Sequence, residues 1–244
     1  MKKTAVVIPA RYGSSRFPGK AIALLRGKTI IQWVWECAKK SKADLVLVAT
    51  DDKRIYDTVE AFGGTAVMTS PNHPSGSDRI MEAVKNIDAD VIVNVQGDEP
   101  STPPALINGL IDMMLADDAP DMGTVIVPCS RETVANDPNR PKVVVSKDGY
   151  ALYFSRSMIP FLREGGTEMQ VYRHWGIYAY QRAALEKFVS LPEGNLEKCE
   201  KLEQLRALEN GMRIKTITMN YDGIDVNTPD DLIAAEKLFA EKGF

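Results

Sequence analysis

Residues 4–20 read TAVVIPARYGSSRFPGK. Thr4 to Ala10 is a short apolar run, β-branched at Thr4, Val6, Val7 and Ile8, which predicts a buried strand. Directly behind it come Arg11, Gly13, Ser14, Ser15, Arg16, Gly19 and Lys20. A strand that opens into a Gly/Ser loop with three cations suits phosphate. Glycine lets the backbone approach, N–H groups can turn inward, and Arg or Lys neutralises charge. A helical pattern starts near Lys28, so the loop ends against a helix. The plainer reading of the same residues is an ordinary βα loop with a solvated basic edge. A Walker A loop is excluded: five residues separate Gly13 from Gly19, and Ala21 follows Lys20 where a metal-binding hydroxyl is needed. The G-x-G-x-x-G dinucleotide fingerprint is absent too.

Outward from that stretch, strand and helix alternate. Helical spacing runs over Lys28–Lys40, then a strand over Ala43–Thr50 ending in Asp51-Asp52. A helix over Arg54–Phe62 stops at Gly63-Gly64, before a short strand at Thr65–Met68. Ser75-Gly76-Ser77-Asp78 resembles a capping box ahead of a helix over Arg79–Asn86. Asp90–Gln96 is a β-branched strand closing on Gly97-Asp98-Glu99-Pro100, and Pro103–Leu115 reads as a helix. This rhythm predicts an α/β fold, a mostly parallel sheet with helices on both faces. Ligands in such folds lie beyond the carboxyl ends of the strands. Arg11, Asp51 and Asp98 all follow strand ends, so one crevice is expected there. The second half is richer in β: Gly123–Pro128, Lys142–Val145, Ala151–Phe154, Arg173–Tyr180 and Met212–Met219, with a hairpin turn at Gly149-Tyr150. Helices are expected over Arg182–Leu191, over Glu200–Asn210, and after Thr228-Pro229-Asp230-Asp231.

Composition bounds the function. The 244 residues are 44% hydrophobic, enough for one large domain or a domain with a small lobe. A net charge of −3 argues against a general nucleic-acid binder. Cys37, Cys129 and Cys199 lie far apart without metal-ligand spacing, a set that suits a reducing cytoplasm. No apolar run approaches a membrane span, and the basic Met1-Lys2-Lys3 start is not followed by a signal-peptide core.

Several side chains carry candidate chemistry. Asp98 follows a strand and suits Mg²⁺, a hard cation that takes carboxylate and phosphate oxygens; alternatively it caps the helix behind Pro100. Beside a phosphate loop, the metal reading is the better one. Gln96 lies on the same strand end. Asp225 and Asn227 share a face of an extended segment, and either completes a metal site opposite Asp98. Arg79 can fork onto a carboxylate or phosphate. His174, in RHWGIYAY, is read as structural more readily than catalytic, Tyr178 and Tyr180 equally as core aromatics, and Glu203 as part of a solvated helix face.

RYGSSRFPGK, TSPNHPSGSDR, NVQGDEP, GYALYFSR, RHWGIYAY and KLEQLRALENG occur in that order along the chain. Together they resemble the 3-deoxy-manno-octulosonate (KDO) cytidylyltransferase family, over nearly the whole chain. The first loop is shared more widely with sialic-acid cytidylyltransferases. The resemblance implies a Rossmann-like nucleotide-diphospho-sugar transferase fold in a single domain. Residues 1–122 form its nucleotide-binding half, 123–219 a smaller β-rich sugar-binding and dimerisation lobe, and 220–244 a metal-site segment with the last helix. It implies CMP transfer from CTP to the acidic eight-carbon sugar KDO, Mg²⁺ as cofactor, a homodimer, a cytoplasmic location, and a role in lipopolysaccharide synthesis without nucleic-acid or membrane partners. By motif, Ala10, Arg11, Ser14, Arg16, Lys20, Ser75, Gly76 and Gln96 hold the nucleotide, with Lys20, Arg11 and Asp98 as the catalytic set. Arg79, Gln96, Arg156, His174, Tyr178, Glu203 and Gln204 line the sugar site. Asp98 binds Mg²⁺.

One departure bears on that metal. The family usually ends in V-D-T-P-E-D-L, and its aspartate is the second ligand; this chain reads V-N-T-P-D-D-L, placing Asn227 there. The expectation is that Asp225 carries the charge, with Asn227 supporting it. Arg140-Pro141-Lys142 also departs from the family, which more often has a small residue and valine before the lysine. Competing readings are the same chemistry on 8-amino-KDO or a sialic-acid-like sugar, an NAD-dependent oxidoreductase on sheet pattern alone, and a CTP-binding regulator without turnover.

Overall fold

The computed structural model describes residues 2–14 and 16–243, so Ser15 of the first loop lies outside the described residues, as does Met1. The chain divides into two compact units, one of residues 1–111 with 222–244 and one of residues 112–221.

The first unit is built on β1 (Thr4–Ala10), whose Ala5 to Ile8 are wholly buried. A strand covered on both faces needs such an unbroken apolar run. After β1 the chain makes a 3₁₀ turn at Lys20–Ile22, then the short strands β2 (Leu24–Leu25) and β3 (Lys28–Thr29). The turn joining them was not legible as a hairpin: Arg26 and Gly27 both take positive φ, 50° and 82°, as a tight two-residue hairpin requires. Then follow α1 (Ile30–Lys39), β4 (Leu45–Thr50), α2 (Lys53–Ala61), β5 (Ala66–Met68), α3 (Gly76–Ala83), β6 (Val91–Asn94) and α4 (Pro104–Leu115). The strands lie in the order β5-β4-β1-β6, all parallel, with Val6 paired to Val46 on one side and Val93 on the other. Helices flank this sheet, giving the expected α/β class.

The second unit contains β7 (Met122–Cys129), α5 (Arg131–Val134), β8 (Lys142–Val145), β9 (Ala151–Ser155), β10 (Val171–Gln181), α6 (Arg182–Ser190), α7 (Asn195–Glu200), α8 (Gln204–Glu209) and β11 (Ile214–Thr218). β7 pairs with β11 in parallel and with β10 antiparallel, and β10, β8 and β9 continue antiparallel. The single helix expected over Glu200–Asn210 is two helices. Lys201 takes φ +51° and ends α7, Leu202 turns into the core, and Glu203 becomes the N-cap of α8. The helix expected from Arg79 starts earlier, at Gly76, because Ser75 itself is the N-cap and its Oγ accepts from Asp78 N.

The last helix, α9 (Pro229–Lys242), returns to the first unit. Thr228 caps it, Asp231 answers Thr228, and buried Phe239 meets the Trp33 ring edge-on at 5.1 Å. No helix among the described residues is long and apolar enough to cross a membrane.

Candidate active site

The carboxyl ends of β1 and β6 are drawn together by a missing side chain. A Cβ on Gly97 would lie 2.8 Å from the Pro9 carbonyl oxygen, so only glycine lets the two backbones approach. Between these ends opens a cavity of about 350 Å³, a size suited to a small ligand. Ala10, Arg11, Ser14, Arg16 and Lys20 line it from the first loop, and Gln96 and Asp98 from the end of β6.

The first loop closes on itself. The Tyr12 carbonyl accepts from Ser14 N at 3.0 Å and Gly19 N at 2.9 Å. Gly19 sits at φ +72°, and a Cβ there would touch the Tyr12 ring at 3.0 Å. The Arg54 guanidinium stacks on that same ring, 3.3 Å from its centroid. This fold delivers Lys20 to the cavity and leaves Arg11 exposed, with no hydrogen bond or ion pair among the described residues.

Asn227 arrives from the other end of the chain. Val226 is fully buried and its N–H donates to the Asp98 carbonyl at 2.9 Å, which sets Asn227 beside Asp98. Lys20 Nζ then donates to both Asp98 Oδ2, at 2.5 Å, and Asn227 Oδ1, at 3.1 Å. Arg16 Nη2 also reaches Asn227 Oδ1, at 3.1 Å. Asp225 is exposed, does not line the cavity, and accepts from Asn227 Nδ2 at 2.6 Å. The side chain of this pair that faces the cavity is thus the amide, not the carboxylate.

These donors fit a hard divalent cation. A carboxylate and an amide carbonyl converge on one point, now held by an ammonium, and a hard divalent cation such as Mg²⁺ takes few protein oxygens of this kind, the rest being waters or phosphates. Among the described residues no cluster of three or more His, Cys, Asp or Glu side chains offers an alternative site.

The third wall is the start of α3. Ser75 and Gly76 line the cavity, and the N-terminus of this helix carries partial positive charge toward it. His73, not anticipated as a site residue, also lines it and bonds through Nε2 to Glu82. Its signal was available in the run HPSGSD, since residues just ahead of a helix cap face what the helix end faces. Arg79 lines the cavity as well but is already engaged: Nη2 pairs with Asp51 at 2.6 Å and Nη1 donates to Thr69 at 2.6 Å. It ties the ends of β4 and β5 together. Asp51 itself, expected in the crevice, serves as this counter-ion and does not line the cavity.

The remaining candidates belong to the second unit. A register shift between Trp175 and Tyr178 brings the His174 and Tyr178 rings within 5.4 Å. His174 is buried, and burial pushes its pKa down to about 3, so the ring is neutral. Its partners fix the tautomer. Gln204 Nε2 donates toward Nδ1 at 3.5 Å, Nε2–H faces Thr124 Oγ1 at 3.0 Å, and that hydroxyl donates to the Ile177 carbonyl at 2.8 Å. Burial, with Tyr180 and Glu203 nearby, pushes the Tyr178 phenol well above its usual range. Arg156 serves at one remove. Its guanidinium donates to the carbonyls of Pro138, Glu200 and Lys201, which holds the break between α7 and α8 and so sets Glu203 and Gln204.

Residues 5–214 match the cytidylyltransferase family. The 3-deoxy-manno-octulosonate cytidylyltransferase of Thermodesulfovibrio yellowstonii is 50% identical, covering 96% of this chain and 97% of its own length. The chain belongs to the KDO cytidylyltransferase family. The Leptospira interrogans enzyme of the same name is 47% identical over 95% of this chain and 94% of its own. A solved structure of CMP:2-keto-3-deoxy-manno-octonic acid synthetase complexed with CTP matches with a TM-score of 0.95 at 42% identity, covering 99% of this chain and 100% of that one. At 14% identity, the 4-diphosphocytidyl-2C-methyl-D-erythritol synthase of Anaerococcus prevotii (TM-score 0.65, covering 98% and 99%) shares the fold. The chain is thereby a nucleotidyltransferase enzyme, and its largely parallel α/β sheet is the fold of other nucleotidyltransferases.

Proposed function

We propose that this cytidylyltransferase transfers CMP from CTP to the anomeric hydroxyl of KDO and releases pyrophosphate. The observation that carries the reading is the cation-lined cavity at the ends of β1 and β6, in a chain 42% identical over 99% of its length to a synthetase complexed with CTP.

In the proposed reaction the hydroxyl attacks the α-phosphorus in line, and catalysis is chiefly positioning and charge neutralisation. Arg11, Arg16 and Lys20 meet the phosphates and offset charge growing on pyrophosphate. Ala10, Ser75, Gly76 and Gln96 frame the nucleoside, with the α3 N-terminus adding positive potential. Held by Asp98 and Asn227, Mg²⁺ would supply further neutralisation of the phosphates and a lowered pKa for the attacking hydroxyl. Lys20 exchanges its carboxylate partner for phosphate as the nucleotide enters. His174 and Gln204 act as neutral hydrogen-bonding groups toward the sugar, with Tyr178 and Glu203 beside them and Arg156 anchoring their loop. A histidine held neutral to about pH 3 is no proton acceptor at pH 7, so it orients rather than titrates. Arg79, paired to Asp51, gives the sugar carboxylate a rigid, half-neutralised guanidinium.

A homodimer is part of the same reading, supported by the exposed Leu152, Phe161 and Met169 of the second unit. So are a cytoplasmic location, which suits three free cysteines, and a product destined for lipopolysaccharide. The test is pyrophosphate release from CTP with KDO, 8-amino-KDO or sialic acid, each with and without Mg²⁺. KDO with Mg²⁺ is expected to be turned over fastest. CTP binding with no release on any sugar would instead make the chain a regulator.

A further inference from the structure

We infer that Asp225 is a positioning residue: it fixes the side-chain amide of Asn227 so that Oδ1 keeps facing the cavity when Lys20 and Arg16 turn to phosphate. The inference rests on the cytidylyltransferase reading above. An amide has one accepting and one donating end, and only its neighbours decide which faces inward. In Asn227 every neighbour agrees. Nδ2 donates outward to Asp225 at 2.6 Å, while Oδ1 accepts inward from Lys20 and Arg16, each at 3.1 Å. The backbone is fixed separately, by Asn227 N donating to Asp231 Oδ2 at 3.0 Å and by Val226 N on the Asp98 carbonyl. Side-chain rotation is therefore the freedom that remains.

The inner pair of bonds cannot do this job throughout the cycle. A triphosphate competes for both Lys20 and Arg16, and once they turn to it nothing in the cavity dictates which end of the amide points in. Asp225 stands outside the cavity and makes no other hydrogen bond or ion pair among the described residues. It keeps its hold on Nδ2 whatever occupies the cavity. A flip would set the amide oxygen against the Asp225 carboxylate, two acceptors at hydrogen-bonding distance. A carboxylate at 227 would need no such orienting, because both its oxygens accept. It would, however, stand against Asp225 where the amide now donates. The residues at 225 and 227 thus form one unit, a carboxylate outside and an amide inside.

The experiment measures Mn²⁺ binding by electron paramagnetic resonance at saturating CTP, alongside CTP binding by calorimetry in EDTA and melting temperature. Asp225→Ala is expected to leave melting and metal-free CTP affinity within about 2-fold or its equivalent, and to weaken Mn²⁺ binding in the CTP complex by roughly 10-fold, the usual cost of losing an outer partner. Asn227→Asp, whose two oxygens both accept, is expected to free the site from Asp225: adding Asp225→Ala to Asn227→Asp should change Mn²⁺ affinity by no more than about 2-fold, against the roughly 10-fold fall in the Asn227 background. Unchanged Mn²⁺ affinity in Asp225→Ala overturns the inference. So does a parallel fall in CTP affinity and melting temperature, which would mark a structural role, or an Asp225→Ala loss just as large in the Asn227→Asp background. A wild-type protein that binds no CTP sinks the cytidylyltransferase reading itself; wild-type binding with an indifferent Asp225→Ala sinks only this proposal.

Discussion

The two units each bury one arginine–carboxylate pair, Arg79–Asp51 and Arg206–Glu197, but differ in where the rest of their polar groups lie. The first gathers Arg11, Arg16 and Lys20 at an open cavity and balances them with Asp98, leaving charge available. The second buries polar groups more deeply, the Arg206–Glu197 ion pair among them. His174 is stripped of its proton, and the ammonium of Lys142 is buried against the carbonyls of Asp137 and Arg156, which pushes its pKa down. Charge left in partial contact with water does work on a highly charged ligand. Neutral groups locked in a fixed array select by shape and hydrogen-bond pattern. In the proposed reaction the phosphates are met by charged groups of the first unit, which also offers Arg79 to the sugar carboxylate, and the neutral groups proposed to face the sugar belong to the second.

The hardest test of that division is Asp98→Ala. It removes the one carboxylate that lines the cavity among the described residues and leaves Lys20 without its ion-pair partner. Pyrophosphate release is expected to fall by 10³-fold or more, roughly the several kcal/mol a metal contributes to phosphoryl chemistry. Turnover near the wild-type level would show that the charge balance of the first unit is incidental. Lys20→Ala comes next, with a loss in kcat of about 10²–10³, the usual effect of deleting one preorganised electrostatic donor. If only KM moved, Lys20 would be a binding group that does nothing extra for the transition state.

The second unit makes a different prediction, one about stability. The folded pKa of His174, about 3, lies below the ordinary value of 6.5. The unfolded chain therefore takes up this proton first as pH drops. The stability due to neutral His174 is whole above pH 6.5 and declines as pH falls from 6.5 toward 3. At about 1.4 kcal/mol per pH unit, roughly 2 kcal/mol is gone at pH 5. Melting curves of wild type and His174→Gln between pH 7.5 and 5 should diverge by that amount, the variant losing less. Parallel curves would mean the ring carries a proton in the fold, and the contrast between the units would collapse.

Which parts were legible follows from the range of the forces. β1, β4 and β6 were readable because buried parallel strands demand apolar runs, and the caps at Ser75 and Thr228 because capping is local. The split of α7 from α8 was not, since it depends on Leu202 finding the core and on Arg156 holding the carbonyls of Glu200 and Lys201 from more than forty residues away. The placing of Asn227, rather than Asp225, on the cavity was legible only through the family pattern, and the charge of Asp225 pointed the other way. Alternation puts both on one face, but the Val226–Asp98 backbone bond, across most of the chain, decides which one meets Lys20.

The glycines give the last and smallest test. Gly13 is the residue a phosphate-loop reading singles out, yet among the described residues a Cβ there meets nothing within 4 Å, and the residue neither takes a positive φ nor lines the cavity. Gly97, unremarked in QGDEP, is the one that spacing demands, with the Pro9 carbonyl 2.8 Å from its missing Cβ. Gly13→Ala should therefore melt within about 0.5 kcal/mol of wild type, as surface changes do, and keep kcat/KM within about 2-fold. Gly97→Ala must push apart the two strand ends that carry Arg11 and Asp98. If Gly13→Ala proved the more damaging for CTP turnover, the ligand would have to approach the backbone of the first loop closely, and the cation side chains would share their role with its N–H groups.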